Sequence, residues 1–189
     1  MFLQTGANMP LPKKINKQLR RLIEIQAGPH RNPQPVGIIG PSVCDEVCRS
    51  AAYKVASVLA SAGVPIICGG RGGVMEAACH GAYDMGGMTI GILPEEDRRS
   101  ANKYVTLALP TGIGEIRNVL IVRGSVCVVA IGGGMGTLSE MALGVKWGKA
   151  VFTLYEEFNL PGAQAAESID QLLGWVIEYL VRESGAGLQ

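Results

Sequence analysis

Two glycine-rich segments stand where an aliphatic run passes into a helical pattern. A strand, a glycine turn and a helix N-terminus together present unpaired N–H groups and a positive dipole end, which suits a phosphate. The missing β-carbons let a phosphate reach the backbone. The sequence therefore predicts a phosphate-bearing ligand across both turns. The residues predicted to contact it are Gly69, Gly70, Arg71, Gly72 and Gly73 in the first turn and Gly133, Gly134, Gly136 and Thr137 in the second.

The two turns differ from the common nucleotide-binding loops. Neither ends in Gly-Lys-Ser/Thr, so Walker-type nucleotide hydrolysis is disfavoured. Neither has the spaced G-x-G-x-x-G pattern with a clear acidic residue downstream, so an ordinary dinucleotide site is disfavoured as well.

Arg117 and Glu140 are the candidate reactive side chains, and each has a second interpretation. Thr137 and Glu140 fit a capping box, in which the threonine caps a helix and the glutamate reaches back to it. Arg117 either faces the sheet edge and meets an anion, or forms a surface ion pair with Glu115 in the first turn of a helix. The residue pattern leaves both alternatives open.

The elements that position these residues alternate between strand and helix. Short aliphatic runs at 36–39, 65–68, 88–93, 104–107, 126–131 and 150–154 alternate with helical patterns at 45–62, 73–85, 115–124, 137–147 and 165–182. This alternation predicts an α/β fold, a Rossmann-like, doubly wound, mainly parallel sheet with helices on both faces. In such folds ligands bind at the carboxyl ends of the strands.

The domain organisation is predicted to be one globular unit with an N-terminal extension. Residues 1–34 hold an arm and an amphipathic basic helix at 13–26, and residues 35–189 form a single Rossmann-like, phosphate-binding domain. The basic helix is interpreted as a docking or oligomer helix. A nucleic-acid or membrane patch is the alternative.

The amino-acid composition and the net charge exclude several classes of protein. Glycine is unusually abundant, at 26 of 189 residues, while 48% of the chain is hydrophobic, which excludes collagen and low-complexity disorder. The net charge of +1 gives no global field to recruit nucleic acid or a membrane surface. The absence of a long apolar segment leads us to expect a cytoplasmic protein without a secretory signal or a membrane span.

The five cysteines are predicted to be reduced thiols. Cys68 and Cys127 lie in apolar runs, Cys44 and Cys48 share a helix face, and Cys79 adjoins a histidine. An odd number without recognisable zinc-finger spacing favours buried thiols of a cytosolic protein over disulfides or a metal site.

The combined motifs resemble the LONELY GUY-type phosphoribohydrolases and their relatives, some of which carry an old label as lysine decarboxylases. Within that superfamily the sequence looks most like the branch that includes molybdenum cofactor carrier proteins. The resemblance covers about residues 35–154 and rests on Gly69 to Glu76, Gly91 to Pro94, Arg117-Asn118 and Gly132 to Glu140.

The family motif P-G-G-x-G-T-x-x-E is matched at Gly133, Gly134, Gly136, Thr137 and Glu140. Gly132 stands where the motif has proline, and Asn118 replaces the lysine of an upstream Arg-Lys pair. In the phosphoribohydrolases this arginine and glutamate act in cleaving the N-glycosidic bond of a nucleoside 5′-monophosphate. The resemblance thus implies that Arg117 and Glu140 are catalytic and that the glycine turns hold the phosphate.

Two functions follow as hypotheses. The first is hydrolysis of a nucleoside 5′-monophosphate to free base and ribose 5-phosphate. The second is a non-catalytic carrier or binding protein for a phosphorylated pterin, as in the molybdenum cofactor, or for a nucleotide. Neither requires a cofactor for chemistry, although a nucleotide monophosphate or a molybdopterin-type molecule is the expected bound ligand. Lysine decarboxylation is not supported, because no lysine lies in a context suited to pyridoxal chemistry.

The resemblance also implies a homodimer or a higher homo-oligomer. In that case Met141, Leu143, Val145 and Trp147 are candidates for the subunit contact, with ordinary core packing as the alternative.

Overall fold

A computed structural model describes residues 11–155 and 157–184 of the chain. The helices are α1 (Lys13–Ala27), α2 (Glu46–Ser61), α3 (Val74–Asp84), α4 (Asn118–Gly124), α5 (Met135–Lys146) and α6 (Ile169–Glu183). The strands are β1 (Val36–Ile39), β2 (Ile66–Cys68), β3 (Thr89–Leu93), β4 (Leu107–Pro110), β5 (Val128–Ile131), β6 (Val151–Leu154) and β7 (Gln164–Ala166). The arm predicted at residues 1–10 lies outside the described residues.

The seven strands form one parallel sheet in the order β4-β3-β2-β1-β5-β6-β7. The chain winds outward from β1 to β4 and returns to place β5 on the other side of β1. The loops that follow β1 and β5 therefore leave the sheet in opposite directions, and the crevice between them is where ligands bind in this class of fold. The predicted α/β, doubly wound architecture is confirmed.

Helices cover both faces of the sheet because the central strands are apolar on both sides. Strands β1, β2 and β5 are fully buried. On one face α1, α2, α3 and α6 share a core that includes Leu22, Leu59 and Leu173. On the other face α4 and α5 pack around Ile121 and Met141. Because Met141 is a core residue at 1% exposure, the prediction that places it in a subunit contact is wrong.

The main differences from the sequence-based prediction lie at β4, β7 and α6. Strand β4 begins at Leu107, not at Tyr104, because the Asn102 side chain accepts the Tyr104 N–H and donates to the Gly70 carbonyl, which fixes a turn there. Strand β7 was not predicted. The helix expected from residue 165 begins only at Ile169, where the Ser168 side chain caps it by accepting the Gln171 N–H.

No helix in the described ranges combines the length and the apolar character that crossing a bilayer requires. All five cysteines are free thiols, four of them buried and Cys44 half-buried, as predicted.

Candidate functional site

A cavity of about 340 Å³ opens at the carboxyl ends of β1, β2 and β5. Its position is the crevice that the reversal of strand order creates, and its size lies within the usual range for small-molecule sites. It is lined by Ile39, Gly40, Pro41, Ser42, Val43, Gly69, Arg71, Met75, Glu115, Arg117, Asn118, Gly134, Gly136, Thr137 and Glu140. The fold thus brings both glycine turns, Arg117 and Glu140 to one cavity.

Arg117 is a buried cation in the wall of this cavity. It ends a 3-10 turn over Gly114–Arg117 and is only 5% exposed. Its Nε and Nη1 have no hydrogen-bond partner among the described residues, and it forms no ion pair within 4.0 Å in that part of the chain. The interpretation as a surface ion pair with Glu115 is therefore wrong. A buried guanidinium without a carboxylate partner is a site that an anionic ligand would complete.

Gly69 is required beneath Arg117. A β-carbon at this position would collide with both terminal nitrogens of the guanidinium, so the arginine lies directly on the backbone of the first turn. This close approach explains the glycine without reference to a ligand, although Gly69 also lines the cavity.

Helix α5 begins two residues earlier than predicted, and the capping box is absent. Gly134 is the N-cap residue, without a side-chain cap, and the Leu138 N–H makes the first intrahelical bond to the Gly134 carbonyl. Thr137 therefore lies within the first turn, where its side chain is buried against the cavity. The N–H groups of Met135, Gly136 and Thr137 precede that first bond and are available to an anion.

Glu140 faces the cavity one turn further along α5. It is 6% exposed, and burial raises the pKa of its carboxyl to about 8, while the Arg117 charge opposes the shift and the Cys68 and Glu115 charges add to it. Glu140 is therefore mostly protonated at neutral pH in this structure and is a hydrogen-bond donor rather than a carboxylate.

Asn118 occupies the position where the resembling family carries lysine. It is buried, its Nδ2 donates to the Ser139 Oγ over 3.3 Å, and its Oδ1 has no partner among the described residues. Asn118 lines the same cavity, and its amide leaves the cavity with one positive charge fewer than a lysine would.

Arg71 lies at the mouth of the cavity. Its Nη1 is 3.6 Å from the Glu95 Oε1, and both side chains remain partly exposed. Such an ion pair contributes little to stability, so Arg71 can exchange its partner for a ligand at small cost.

The remaining predicted glycines do not line the cavity. Gly70 packs against Gly91 and Leu93, Gly72 and Gly73 pack against the turn after β1, and Gly133 approaches the backbone of Glu157. These four glycines allow close packing of neighbouring segments.

Gly132 has a φ of +68°. The proline of the family motif cannot adopt this value, because its ring fixes φ near −65°. The second turn therefore takes a backbone path that the motif with proline cannot take.

Sequence reasoning missed part of the cavity wall that follows β1. Pro41, Ser42 and Val43 form this third turn, and Met75 and Glu115 complete the lining. The available signal was a Gly-Pro-Ser sequence directly after an aliphatic strand and shortly before Asp45, whose side chain caps α2 by accepting the Cys48 N–H.

No group of three or more His, Cys, Asp or Glu residues that could hold a metal ion occurs in the described ranges. Arg71 and Arg117 in the cavity lining and the N–H groups at the start of α5 are the groups suited to hold a phosphate.

Comparison with known proteins identifies a family and a relative of this chain. Residues 34–174 match the family model described as LDcluster4, the SLOG cluster4 family. An uncharacterized protein of Archaeoglobus fulgidus is 36% identical over 147 residues, which span 78% of this chain and 97% of that protein.

Solved structures that share the fold include the following two. The molybdenum cofactor binding protein of Rippkaea orientalis superposes with a TM-score of 0.72 at 33% identity, covering 77% of this chain and 96% of the other. The molybdenum cofactor carrier protein of Chlamydomonas reinhardtii gives 0.70 at 29% identity, with coverage of 78% and 98%. The predicted resemblance to this branch is confirmed.

Proposed function

The chain belongs to the SLOG cluster4 family, and we propose that it binds and carries a phosphorylated pterin of the molybdenum cofactor type without hydrolysing it. The observation that carries this proposal is the buried guanidinium of Arg117 in the wall of the cavity, which has no carboxylate within 4.0 Å among the described residues. An ionised group without a partner in a low-dielectric site gains most from an anion, and a phosphate group supplies one.

The phosphate would lie between Arg117 and the first turn of α5. The open space around Gly134 and Gly136 lets an oxygen approach the N–H groups of that turn, because no β-carbon stands in the way. Arg71 at the mouth adds a second cation. The similarity to molybdenum cofactor binding and carrier proteins supports a pterin as the rest of the ligand.

The raised pKa of Glu140 argues against its acting as the carboxylate that stabilises an N-glycosidic transition state. Cleavage of an N-glycosidic bond passes through an oxocarbenium-like state that a carboxylate stabilises. With a pKa raised to about 8 by burial, Glu140 is mostly protonated at pH 7 and would be available to donate a hydrogen bond to the ligand. A neutral group is also less repulsive toward a bound phosphate.

The experiment is to produce the protein in a host that makes molybdenum cofactor and to purify it without oxygen. Molybdenum and the oxidised pterin, measured by mass spectrometry and fluorescence, are expected in a near one-to-one ratio with the protein. Arg117→Met should lose both. Arg123→Met is the matched control, since this arginine lies on α4 over the Trp147 ring, 3.9 Å from its centroid, and does not line the cavity. Equal molybdenum and pterin contents in all three proteins would refute the proposal.

The second candidate is the phosphoribohydrolase, and one observation favours it: Arg117 and Glu140 line the same cavity, as a reacting pair must. Incubation with AMP and other purine monophosphates, followed by chromatography for free base, tests it. Release of base by the wild-type protein but not by Glu140→Gln would establish turnover and displace the carrier proposal.

We also propose a cytoplasmic homo-oligomer. Five free thiols support a reducing compartment. Leu107 and Leu109 on the edge strand β4 are 46% and 43% exposed and Ile116 is 70% exposed, which supports an apolar contact between copies. Light scattering coupled to size-exclusion chromatography should give at least twice the chain mass, and a monomer mass at micromolar concentration would exclude the oligomer.

A further inference from the structure

Two cysteines lie directly beneath the cavity. Cys68 ends β2 and Cys79 lies in α3, and both side chains are fully buried. Their sulfur atoms are 3.5 Å apart, and the Gly70 N–H donates to the Cys68 Sγ over 3.3 Å. The pair has no part in the proposed binding of a phosphate.

The two thiols differ in acidity. The contact with the Cys79 thiol, the Gly70 N–H and the nearby Arg117 charge lower the pKa of Cys68 against the opposing effect of its burial. The same thiol–thiol contact and burial raise the pKa of Cys79. Cys68 is thus suited to act as the nucleophile and Cys79 as the thiol that resolves the product.

The cysteine pair adjoins residues of the anion site directly. Cys68 directly precedes Gly69, on whose backbone the Arg117 guanidinium lies. On its other side the Cys68 Sγ is 3.9 Å from the carbonyl of Met75, which also lines the cavity. A movement of Cys68 toward α3 therefore changes the floor of the site.

We propose that Cys68 and Cys79 are a redox-modification site that forms a reversible disulfide with hydrogen peroxide and thereby weakens the hold of the cavity on its anionic ligand. The ligand part of this proposal rests on the proposed function of the cavity. To bond, the sulfur atoms must approach from 3.5 Å to about 2.05 Å, which draws Gly69 away from its contact with Arg117.

The chemistry balances with hydrogen peroxide as the oxidant. The Cys68 thiolate attacks one peroxide oxygen, the O–O bond breaks, and Cys68 sulfenic acid and hydroxide form. The sulfur loses two electrons and the peroxide gains them. The Cys79 thiol then attacks the sulfenic sulfur, the S–O bond breaks, and the thiol proton leaves with the hydroxyl group as water.

Burial selects the oxidant. Both thiols have 0% exposure, so any oxidant reaches them only through a local opening of the surrounding residues, and hydrogen peroxide needs a much smaller opening than a bulky aromatic or peptide disulfide. Reaction with dilute peroxide but not with a bulky disulfide reagent is therefore expected for this pair. The half-buried Cys44 is expected to react with both.

The test treats the wild-type protein with dilute hydrogen peroxide and digests it with trypsin under non-reducing conditions. Cleavage after Arg71 separates the two cysteines into peptides 55–71 and 72–98, so the disulfide appears as a cross-linked pair of these peptides that dithiothreitol releases. Cys79→Ser should abolish the cross-link. Cys127→Ser is the matched control, because Cys127 is equally buried and burial raises its pKa to about 12. A wild-type protein that yields no cross-linked pair overturns the proposal without reliance on any variant.

Two further readouts separate this inference from the proposed function. Hydrogen exchange at the amides of residues 69–73 should quicken on oxidation, whether or not a ligand binds. Affinity for inorganic phosphate should fall about tenfold or more, as expected from loss of one charge-assisted hydrogen bond, and should recover with dithiothreitol. Unchanged exchange and unchanged affinity in the cross-linked protein would overturn the coupling. A reduced protein that fails to bind phosphate would instead refute the function of the cavity, and the cross-link and the exchange would still decide the modification.

Discussion

Replacing Arg117 by methionine separates binding from folding. Methionine retains an apolar stem of similar length but removes a guanidinium whose Nε and Nη1 have no hydrogen-bond partner among the described residues. Replacement of buried ionic groups by apolar residues is often neutral or stabilising by about 1–4 kcal/mol. We therefore expect Arg117→Met, without ligand, to unfold at the same temperature as the wild-type protein or at a higher one.

With ligand bound, the wild-type protein is expected to be more stable than Arg117→Met. Two charge-assisted hydrogen bonds to a phosphate, at about 1.5 kcal/mol each, contribute about 3 kcal/mol, which corresponds to roughly 150-fold in affinity. At a ligand concentration 100 times its Kd, the wild-type protein gains about 2.7 kcal/mol of stability. For a chain of this size that gain raises the melting temperature by about 5–10 °C. The variant should gain almost nothing at the same concentration.

The assay is thermal unfolding with and without AMP or inorganic phosphate, followed by isothermal titration. Arg123→Met serves as the control that keeps the ligand-induced shift, because that arginine is exposed and stacks on Trp147 away from the cavity. An Arg117→Met protein that is markedly less stable without ligand, or that keeps the full ligand-induced shift, would refute the reasoning.

Three further predictions follow. Gly136→Ala adds a β-carbon that meets no atom within 4 Å and suits a helix, so calorimetry should find the ligand-free protein about 0.5–1 kcal/mol more stable and titration should find weaker phosphate binding. The pKa of Glu140 is raised to about 8 in the folded protein from an ordinary 4.5. The free energy of unfolding of the wild-type protein should therefore fall as the pH rises from about 4.5 to 8. Denaturant titrations across this range should show that Glu140→Gln loses less stability than the wild-type protein, by a few kcal/mol. Leu22→Ala in α1 removes a fully buried side chain and should cost about 2–5 kcal/mol in urea unfolding.

The sheet was predictable because its signal is local. Fully buried parallel strands must be aliphatic on both faces, and runs such as Val36–Ile39 satisfy this within four residues. Strand β7 was not predicted because it is short and lies at the sheet edge, and because its Ala-rich sequence carries no strand signal. Strand β4 shifted because the Asn102 side chain, which bonds to a loop distant in sequence, decides where the preceding turn ends.

The candidate site was predictable in location but only partly in detail. That Arg117 and Glu140 share a cavity follows from parallel strands ending at one edge. The orphaned nitrogens of Arg117 and the neutral state of Glu140 depend on burial by several elements at once, which sequence spacing cannot report. The start of α5 at Met135 instead of Thr137 follows an extended Gly134, a backbone conformation that any residue type can adopt and that therefore leaves no signal in the sequence.

The pairing of α1 with α6 fixes an order of events during synthesis. Ile15 and Leu22 belong to the same core as Leu173 and Val176, and Gln18 reaches Glu178 across 160 residues. At about 5–20 residues per second, the ribosome needs roughly 10–30 s to reach α6 after completing α1. During this interval the apolar face of α1 has no α6 to cover it. Folding therefore cannot finish from the N-terminus onward, and a ribosome stalled before α6 should hold a nascent chain that proteases cleave within α1.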